Sequence, residues 1–236
     1  MLERNFEKRL NRIGDYTPVQ FPSQGQVAEG CERVSNTYAE FIKTRGYGLV
    51  RGGRYQFCPA DQYRSLAALI FKADTDFSHT DARILGFDAF GMELIAWSER
   101  HNSITVNLLK YQIECFDLAA PVLNYPMPTP KKTVPLNRET RTRTILPTDE
   151  DTGECWDWQE NRMYEAAVRK LGQLEFGEVY GFVPSLGLTG YNSRSRTLDN
   201  VQRVKALEHF CLIAQLKPFH LVRSNMGRTE TIREIG

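Results

Sequence analysis

The chain has 236 residues, of which 25% are charged and 41% hydrophobic, as in an ordinary globular protein. Its net charge is +1 at pH 7, so no strong overall field attracts it to nucleic acid or to an anionic membrane. No apolar run approaches the ~18 residues of a membrane-spanning helix. Residues 1–16 lack the apolar core of a signal peptide, which predicts a cytoplasmic protein.

The five cysteines indicate the redox environment. Their number is odd, they are widely spaced, and no CxxC pair occurs. This spacing favours reduced, mostly buried thiols over a disulfide framework.

The first elements are helical. Apolar residues at steps of three and four predict a short amphipathic helix over residues 2–13. Residues 14–27 contain two prolines and two glycines and are interpreted as a loop. Residues 34–48 predict a second helix that buries Tyr38 and Phe41 and ends at Gly46, because glycine accepts the left-handed conformation at a helix end.

A run of strands follows a third helix. Residues 54–59 are a strand candidate, and residues 61–71 predict a helix with Asp61 as its N-cap. Three short segments rich in β-branched and aromatic residues then predict an antiparallel meander. These segments are residues 82–91, 92–100 and 103–111, with a turn at 98–102.

A proline-rich, basic stretch divides the chain. It contains six prolines between residues 121 and 148, together with a set of lysines and arginines. We therefore predict an N-terminal part (1–125), a connecting segment (126–148) and a C-terminal domain (149–236). In the last part, helices are predicted at about 159–171 and 198–216. Strands bracketed by helices without βαβ alternation predict an α+β fold, with an antiparallel or mixed sheet flanked by helices and two packed subdomains.

The glycine-rich stretch GEVYGFVPSLGLTG (177–190) has the glycine content of a phosphate-binding or nucleophile-bearing loop. It matches neither the phosphate-binding GxxxxGK[ST] nor GxGxxG. Around Ser185 the nucleophile motif GxSxG lacks its first glycine, because Val183 stands there. A strand followed by a turn is the favoured interpretation, with Gly181 present for close packing or for a positive φ.

The sequence gives little support for a metal site or for a reactive thiolate. His209 and Cys211 lie two residues apart on a predicted helix and so point to different faces. His79 and Asp81 have no third ligand nearby, and Cys58 has no neighbouring histidine to activate a thiolate. No catalytic residue, metal or cofactor is predicted.

Two charged segments are candidates for contact with macromolecules. The basic segment 131–143 has no interleaved aromatics, which favours a solvated linker and no direct nucleic-acid binding. Residues 149–160 carry six acids and no base around two tryptophans. Such a block is compatible with a solvated turn, with a half-buried strand, or with a surface that recognises a cationic protein. The candidate partner-binding residues are Asp149, Glu150, Asp151, Glu154, Trp156, Asp157 and Trp158, with Asp74 and Asp76 as a secondary pair.

A resemblance to a known family is carried by residues 163–190 and 198–218. MYEAAVRKLGQLEFGEVYGFVPSLGLTG and LDNVQRVKALEHFCLIAQLKP resemble the C-terminal part of bacterial type VI secretion immunity proteins. Ser185 and Thr189 depart from the usual Ala and Gly of that pattern. Upstream, YAEFIKTRGYGLVRGGRYQFCPADQY (38–63) is similar to the GAD-like part that precedes this region in the family.

The resemblance implies a cytoplasmic antitoxin used in bacterial competition. Such a protein binds a cognate secreted toxin, typically a DNase, and neutralises it by occluding the active site. It has no enzymatic activity, no small-molecule substrate and no membrane partner. Two alternatives stay open: a non-catalytic regulatory or structural module, such as a co-repressor, and an enzyme that uses the glycine-rich stretch 177–190.

Overall fold

A large mixed sheet with helices on both faces organises the chain. The structure is a computed structural model that describes residues 6–8, 11, 14–27, 31–101, 104–115, 118, 146, 152–225 and 228–236. In these residues strands and helices form an α+β fold, which confirms the predicted class. The predicted connecting segment 126–148 lies outside the described residues except for Leu146.

The strands form two sheets. In chain order they are β1 (Tyr16–Gln20), β2 (Tyr47–Val50), β3 (Tyr55–Phe57), β4 (Arg83–Asp88), β5 (Leu94–Trp97), β6 (Ile104–Asn107), β7 (Gln112–Cys115), β8 (Glu178–Phe182), β9 (Val201–Lys205), β10 (His220–Asn225) and β11 (Arg228–Glu234). The large sheet has nine strands in the order β1-β2-β3-β4-β5-β6-β7-β10-β11, and β8 pairs with β9 in the small one. All neighbours are antiparallel except β7 and β10, which are parallel.

The helices are short. They are α1 (Gln24–Gln26), α2 (Glu32–Val34), α3 (Asn36–Arg45), α4 (Arg64–Phe71), α5 (Tyr164–Leu171), α6 (Leu186–Thr189) and α7 (Ala206–Ala214). Single 3-10 turns lie at Arg51–Gly53 and Leu198–Asn200. The predicted helix over 2–13 lies mostly outside the described residues, although residues 6–8 and 11 are helical.

Helix α3 and the three-strand meander agree with the sequence predictions. The side chain of Ser35 caps α3 by accepting from the Tyr38 N–H at 3.0 Å. The helix ends at Gly46, whose φ is 73°. Strands β4, β5 and β6 pair consecutively and antiparallel. The predicted turn between the last two is closed by the Ser98 N–H, which donates to the His101 carbonyl at 2.9 Å.

Two predictions near the N-terminus were wrong. Residues 14–27, interpreted as a loop, contain β1 and α1. Pro18 is tolerated in β1 because this is an edge strand, the position in a sheet where proline is usually found. Asp61 does not cap α4, which begins at Arg64. Its carboxylate instead accepts from the Gln26 side chain at 3.2 and 3.3 Å.

The predicted helices of the C-terminal domain are shorter than expected. The prediction of one long helix over 198–216 was wrong, because residues 201–205 form β9 and the α-helix covers only 206–214. The spacing of apolar residues by three and four could not distinguish a helix from a strand in this segment. Val201 and Val204 suit a strand, and β8 supplies the partner for all five residues of β9. The other helix begins at Tyr164 and not at 159.

Two apolar cores lie on opposite faces of the large sheet. Side chains alternate along β5, so that Leu94 and Ala96 enter one core while Ile95 and Trp97 enter the other. The larger core also receives residues of α4, α5, β8 and α7. Phe87 of β4 meets Phe210 of α7 edge to face at 5.2 Å. The hydrophobic core therefore spans both sides of the division predicted at residue 149.

Polar contacts also join the two parts. The buried amide of Gln56 in β3 donates to the Glu178 carbonyl at 2.6 Å and accepts from the Gly177 N–H at 2.8 Å. The Tyr180 N–H donates to the Ala89 carbonyl at 2.8 Å. These bonds fix the start of β8 against the large sheet.

Asp88, at the end of β4, gives stability a pH dependence. Its carboxylate accepts from the Met92 N–H at 2.8 Å, and burial, with the nearby Glu93 charge, raises its pKa to about 7. The folded protein therefore binds a proton that the unfolded chain releases, so stability falls as pH rises from about 4 to about 7.

Asp88→Asn is expected to stabilise the protein above pH 7, by up to a few kcal/mol. The amide keeps an acceptor for the Met92 N–H and carries no charge. Urea unfolding from pH 5 to pH 8 tests this, with wild type and variant measured together. A difference between the two proteins that stays constant over this range would contradict the account.

Candidate functional site

The predicted partner-binding residues fall into separate places. Asp149, Glu150 and Asp151 lie outside the described residues. Glu154, Trp156, Asp157 and Trp158 lie in the turn before α5, and Asp74 and Asp76 follow α4. The structure thus separates buried acids, which hold the fold, from exposed groups that a partner can reach.

Glu154 is buried and stabilises the start of α5. It is 4% exposed, and its carboxylate accepts from the N–H groups of Met163 and Tyr164 at 3.0 and 2.9 Å. Such a carboxylate satisfies the free donors of a helix N-terminus and complements its dipole. Arg54 lies 3.5 Å away and stacks over the Tyr164 ring at 4.0 Å. Glu154 therefore offers no charge to a partner.

Asp157 builds a tight turn that presents the tryptophan following it. Its carboxylate accepts from the backbone N–H groups of Gln159 and Asn161, both at 2.8 Å. Trp156 is only partly buried and forms an isolated bridge with Arg162. The turn therefore has fixed geometry before any partner arrives.

Trp158 is the exposed aromatic residue of this turn. Its side chain is 40% exposed, while its backbone N–H donates to the Arg196 carbonyl at 2.8 Å. The Arg194 guanidinium lies 5.3 Å from the ring centroid. A tryptophan on a rigid turn beside an arginine has the composition of a binding hot spot.

Arg196 donates hydrogen bonds that hold the turn in place. It is 6% exposed and donates to the Asp157 carbonyl at 3.0 Å and to the Glu160 carboxylate at 3.1 Å. Its guanidinium also stacks on Tyr191 at 4.4 Å, while Lys110 approaches the same ring at 4.7 Å. The turn that carries Trp158 is thus anchored on the loop before β9.

Asp74 and Asp76 form ion pairs with Arg233, which lies in the C-terminal strand β11. Arg233 of β11 contacts Asp74 at 2.5 and 2.8 Å and Asp76 at 2.7 Å. The Asp74 side chain is 3% exposed and that of Asp76 is 40% exposed. The hydrogen bonds from Arg233 hold the pKa of Asp74 well below its usual range.

Asp74→Asn is expected to lower the free energy of unfolding at pH 7 by about 2 kcal/mol, because it leaves Arg233 partly unpaired. The folded-state pKa is depressed, so this stabilisation exists above the unfolded pKa and is lost as pH falls below about 4. Asp76→Asn is the matched control and should cost under about 1 kcal/mol. Equal losses in both variants at pH 7 would contradict this assignment.

The serine, cysteine and histidine residues considered for catalysis make structural contacts. Ser185 caps the short helix α6 by accepting from the Gly187 N–H at 3.2 Å. Cys58 is buried, and burial raises the pKa of its thiol. His209 packs behind Gly181, whereas Cys211 approaches Ser65 on another side of α7. Burial lowers the pKa of His209 to about 4.

The described part of the chain shows three further features. No three of its His, Cys, Asp and Glu side chains converge as metal ligands would. None of its helices has the length and apolarity needed to traverse a bilayer. All five cysteines are free, and four are buried, as predicted.

The sequence predictions missed three exposed apolar side chains. Val183, Leu188 and Leu212 are 44%, 68% and 53% exposed. Leu188 belongs to the glycine-rich stretch, which was predicted to be a strand followed by a turn. No signal in the sequence distinguished it from Leu186, which is buried.

Comparison with known proteins gives two family matches. Residues 145–217 match the family described as T6SS immunity protein Tdi1, C-terminal. Residues 4–110 match the GAD-like domain. Both matches were expected from the sequence resemblance, with the GAD-like part before the C-terminal part.

A solved structure matches nearly the whole chain. It is the crystal structure of Atu4351 from Agrobacterium tumefaciens, with 26% sequence identity and a TM-score of 0.80. The match covers 98% of this chain and 98% of that one. The comparison with curated proteins gave no significant match.

Proposed function

We propose that this chain, which belongs to the type VI secretion immunity proteins with a GAD-like domain, neutralises a DNase toxin by covering its active site. The family assignment supports a cognate toxin as the partner and a binding role without catalysis. The DNase chemistry, the occlusion and the contact residues are the proposed parts. A cytoplasmic location, where an injected DNase would act, belongs to the same proposal.

The observation that carries the proposal is the exposed Trp158 on a turn of fixed geometry. The turn is held by Asp157 and Arg196 in the free protein. Little conformational entropy is then lost when a partner covers the ring. Trp158 therefore supplies the apolar centre of the proposed contact.

Charge supports a nuclease as the partner. An enzyme that holds a phosphate backbone has a basic cleft. The side chain of Glu160 is 76% exposed beside Trp158, and Asp149, Glu150 and Asp151 precede the turn in sequence. Carboxylates around an aromatic centre would steer the chain towards such a cleft and raise its association rate.

Charge reversal of Asp149, Glu150 and Asp151 to lysine tests this surface. We expect slower association with the toxin and weaker protection of cells that express it, with the larger loss at low salt. The control reverses three exposed acids elsewhere, Glu7, Glu99 and Glu208. Association rates that are equal for wild type and the first triple variant would place the interface elsewhere.

A regulatory module such as a co-repressor is the second candidate function, and the same surface would serve it. The two differ in one readout. An immunity protein inhibits the purified toxin directly, whereas a co-repressor changes transcription and leaves the toxin active.

A further inference from the structure

A small cavity that opens to solvent lies in the N-terminal part and has several polar residues in its lining. Its volume is about 60 Å³, and it lies between α1, α3, α4 and the large sheet. The polar lining residues are Gln26, Tyr38, Tyr47, Asp61, Arg64 and Arg83, with the Cys31 thiol beside them. The cavity lies in a different part of the chain from the Trp158 turn.

Tyr38 brings an unsatisfied donor to this cavity. The residue is 1% exposed, and its hydroxyl has no hydrogen-bond partner among the described residues. The neighbouring Tyr47 hydroxyl, in contrast, lies 3.5 Å from the Cys31 thiol. Buried hydroxyl groups in native proteins are nearly always paired, with protein, water or ligand. An acceptor inside the cavity would satisfy the Tyr38 hydroxyl.

Arg83 brings a buried positive charge. It is 6% exposed, and its guanidinium donates to the backbone carbonyls of Thr80 and Ala82 at 2.7 and 3.1 Å. Within the described ranges, no carboxylate lies at ion-pair distance from it. Burial and the nearby charges of Arg64 and Arg33 lower its pKa, whereas the charges of Asp81 and Glu99 act in the opposite direction. A buried guanidinium without a carboxylate at ion-pair distance is costly, so an anion is the complementary occupant.

Asp61 does not cancel this positive charge. It is the one carboxylate of the described lining, and its side chain is exposed and engaged by the Gln26 amide at 3.2 and 3.3 Å. The lining therefore keeps the Arg83 guanidinium, which has no carboxylate at ion-pair distance among the described residues, and the unpaired Tyr38 hydroxyl.

We propose that this cavity is a binding site for a small oxyanion, held by the guanidinium group of Arg83 and by the hydroxyl of Tyr38. One water requires roughly 10–15 Å³ of such volume, so the cavity holds about four to six waters or one anion of that size. Inorganic phosphate and short carboxylates share this chemistry and this size.

Calorimetric titration of the full-length protein tests the proposal. Phosphate and acetate are titrated separately, in chloride buffer at constant ionic strength, into wild type and Tyr38→Phe. We expect saturable binding to wild type and a dissociation constant at least about tenfold higher in Tyr38→Phe, since a hydrogen bond to a charged group is lost. The tighter of the two anions identifies the class of ligand.

Tyr55→Phe is the matched control. Tyr55 is also fully buried with an unpaired hydroxyl, but it does not line the cavity. This variant should bind the anion as wild type does. Failure of wild type to bind either anion at millimolar concentration would overturn the proposal. So would equal dissociation constants for wild type and Tyr38→Phe, because a general salt effect does not depend on one hydroxyl.

Discussion

Gly181→Val is expected to lower the free energy of unfolding by about 2–4 kcal/mol. Gly181 lies in the middle of β8, opposite Gln202 of β9. A Cβ atom there would lie 2.6 Å from both the Val204 side chain and the His209 ring. The backbone at this glycine does not have a positive φ, so close packing of β9 and α7 explains the residue. Urea unfolding followed by circular dichroism measures the loss.

Gly25→Val is the matched control for this prediction. Gly25 lies in α1, has no positive φ, and has nothing within 4 Å of an added Cβ. The substitution should leave stability nearly unchanged. If Gly181→Val unfolds at the wild-type urea concentration, close packing does not explain the glycine in this strand.

Trp158→Ala is expected to weaken toxin binding by about 2 kcal/mol or more, roughly thirtyfold in the dissociation constant. The ring supplies the exposed apolar surface of the turn. The backbone bond from Trp158 to the Arg196 carbonyl does not depend on the side chain, so the melting temperature should change little. Surface plasmon resonance with the purified toxin domain measures the effect.

Leu188→Ala is the control for the tryptophan variant. Leu188 is the more exposed of the two, at 68%, and lies on the glycine-rich stretch. We expect wild-type affinity from this variant. A loss of affinity in Leu188→Ala together with wild-type binding by Trp158→Ala would move the interface to the surface around Leu188.

The sequence predicted elements well where local signals decide them. The cap and the glycine end of α3 are local, and so is the β-branched pattern of β4 to β6. Strand β9 was missed because the pairing that makes Val201–Lys205 extended comes from β8, about twenty residues earlier in the chain. Strand β1 was missed because its edge position, which tolerates Pro18, is a property of the whole sheet.

The candidate contact residues show the same limit. Charge and aromatic content pointed to residues 149–160, and Trp158 is indeed exposed there. The Glu154 carboxylate is buried and accepts hydrogen bonds at the start of α5. Composition alone could not distinguish it from a carboxylate that faces solvent. Asp74 is likewise paired with Arg233, which lies 159 residues further along the chain. Such long-range pairs are not visible in a single sequence.

The most direct measurement is the nuclease rate of the proposed DNase toxin, purified, on plasmid DNA, as the protein is added up to molar equivalence. The account predicts that cleavage falls to background at one equivalent of wild type and that Trp158→Ala requires a larger excess. Cleavage that continues at the full rate in excess wild-type protein, although the two proteins bind, would contradict active-site occlusion.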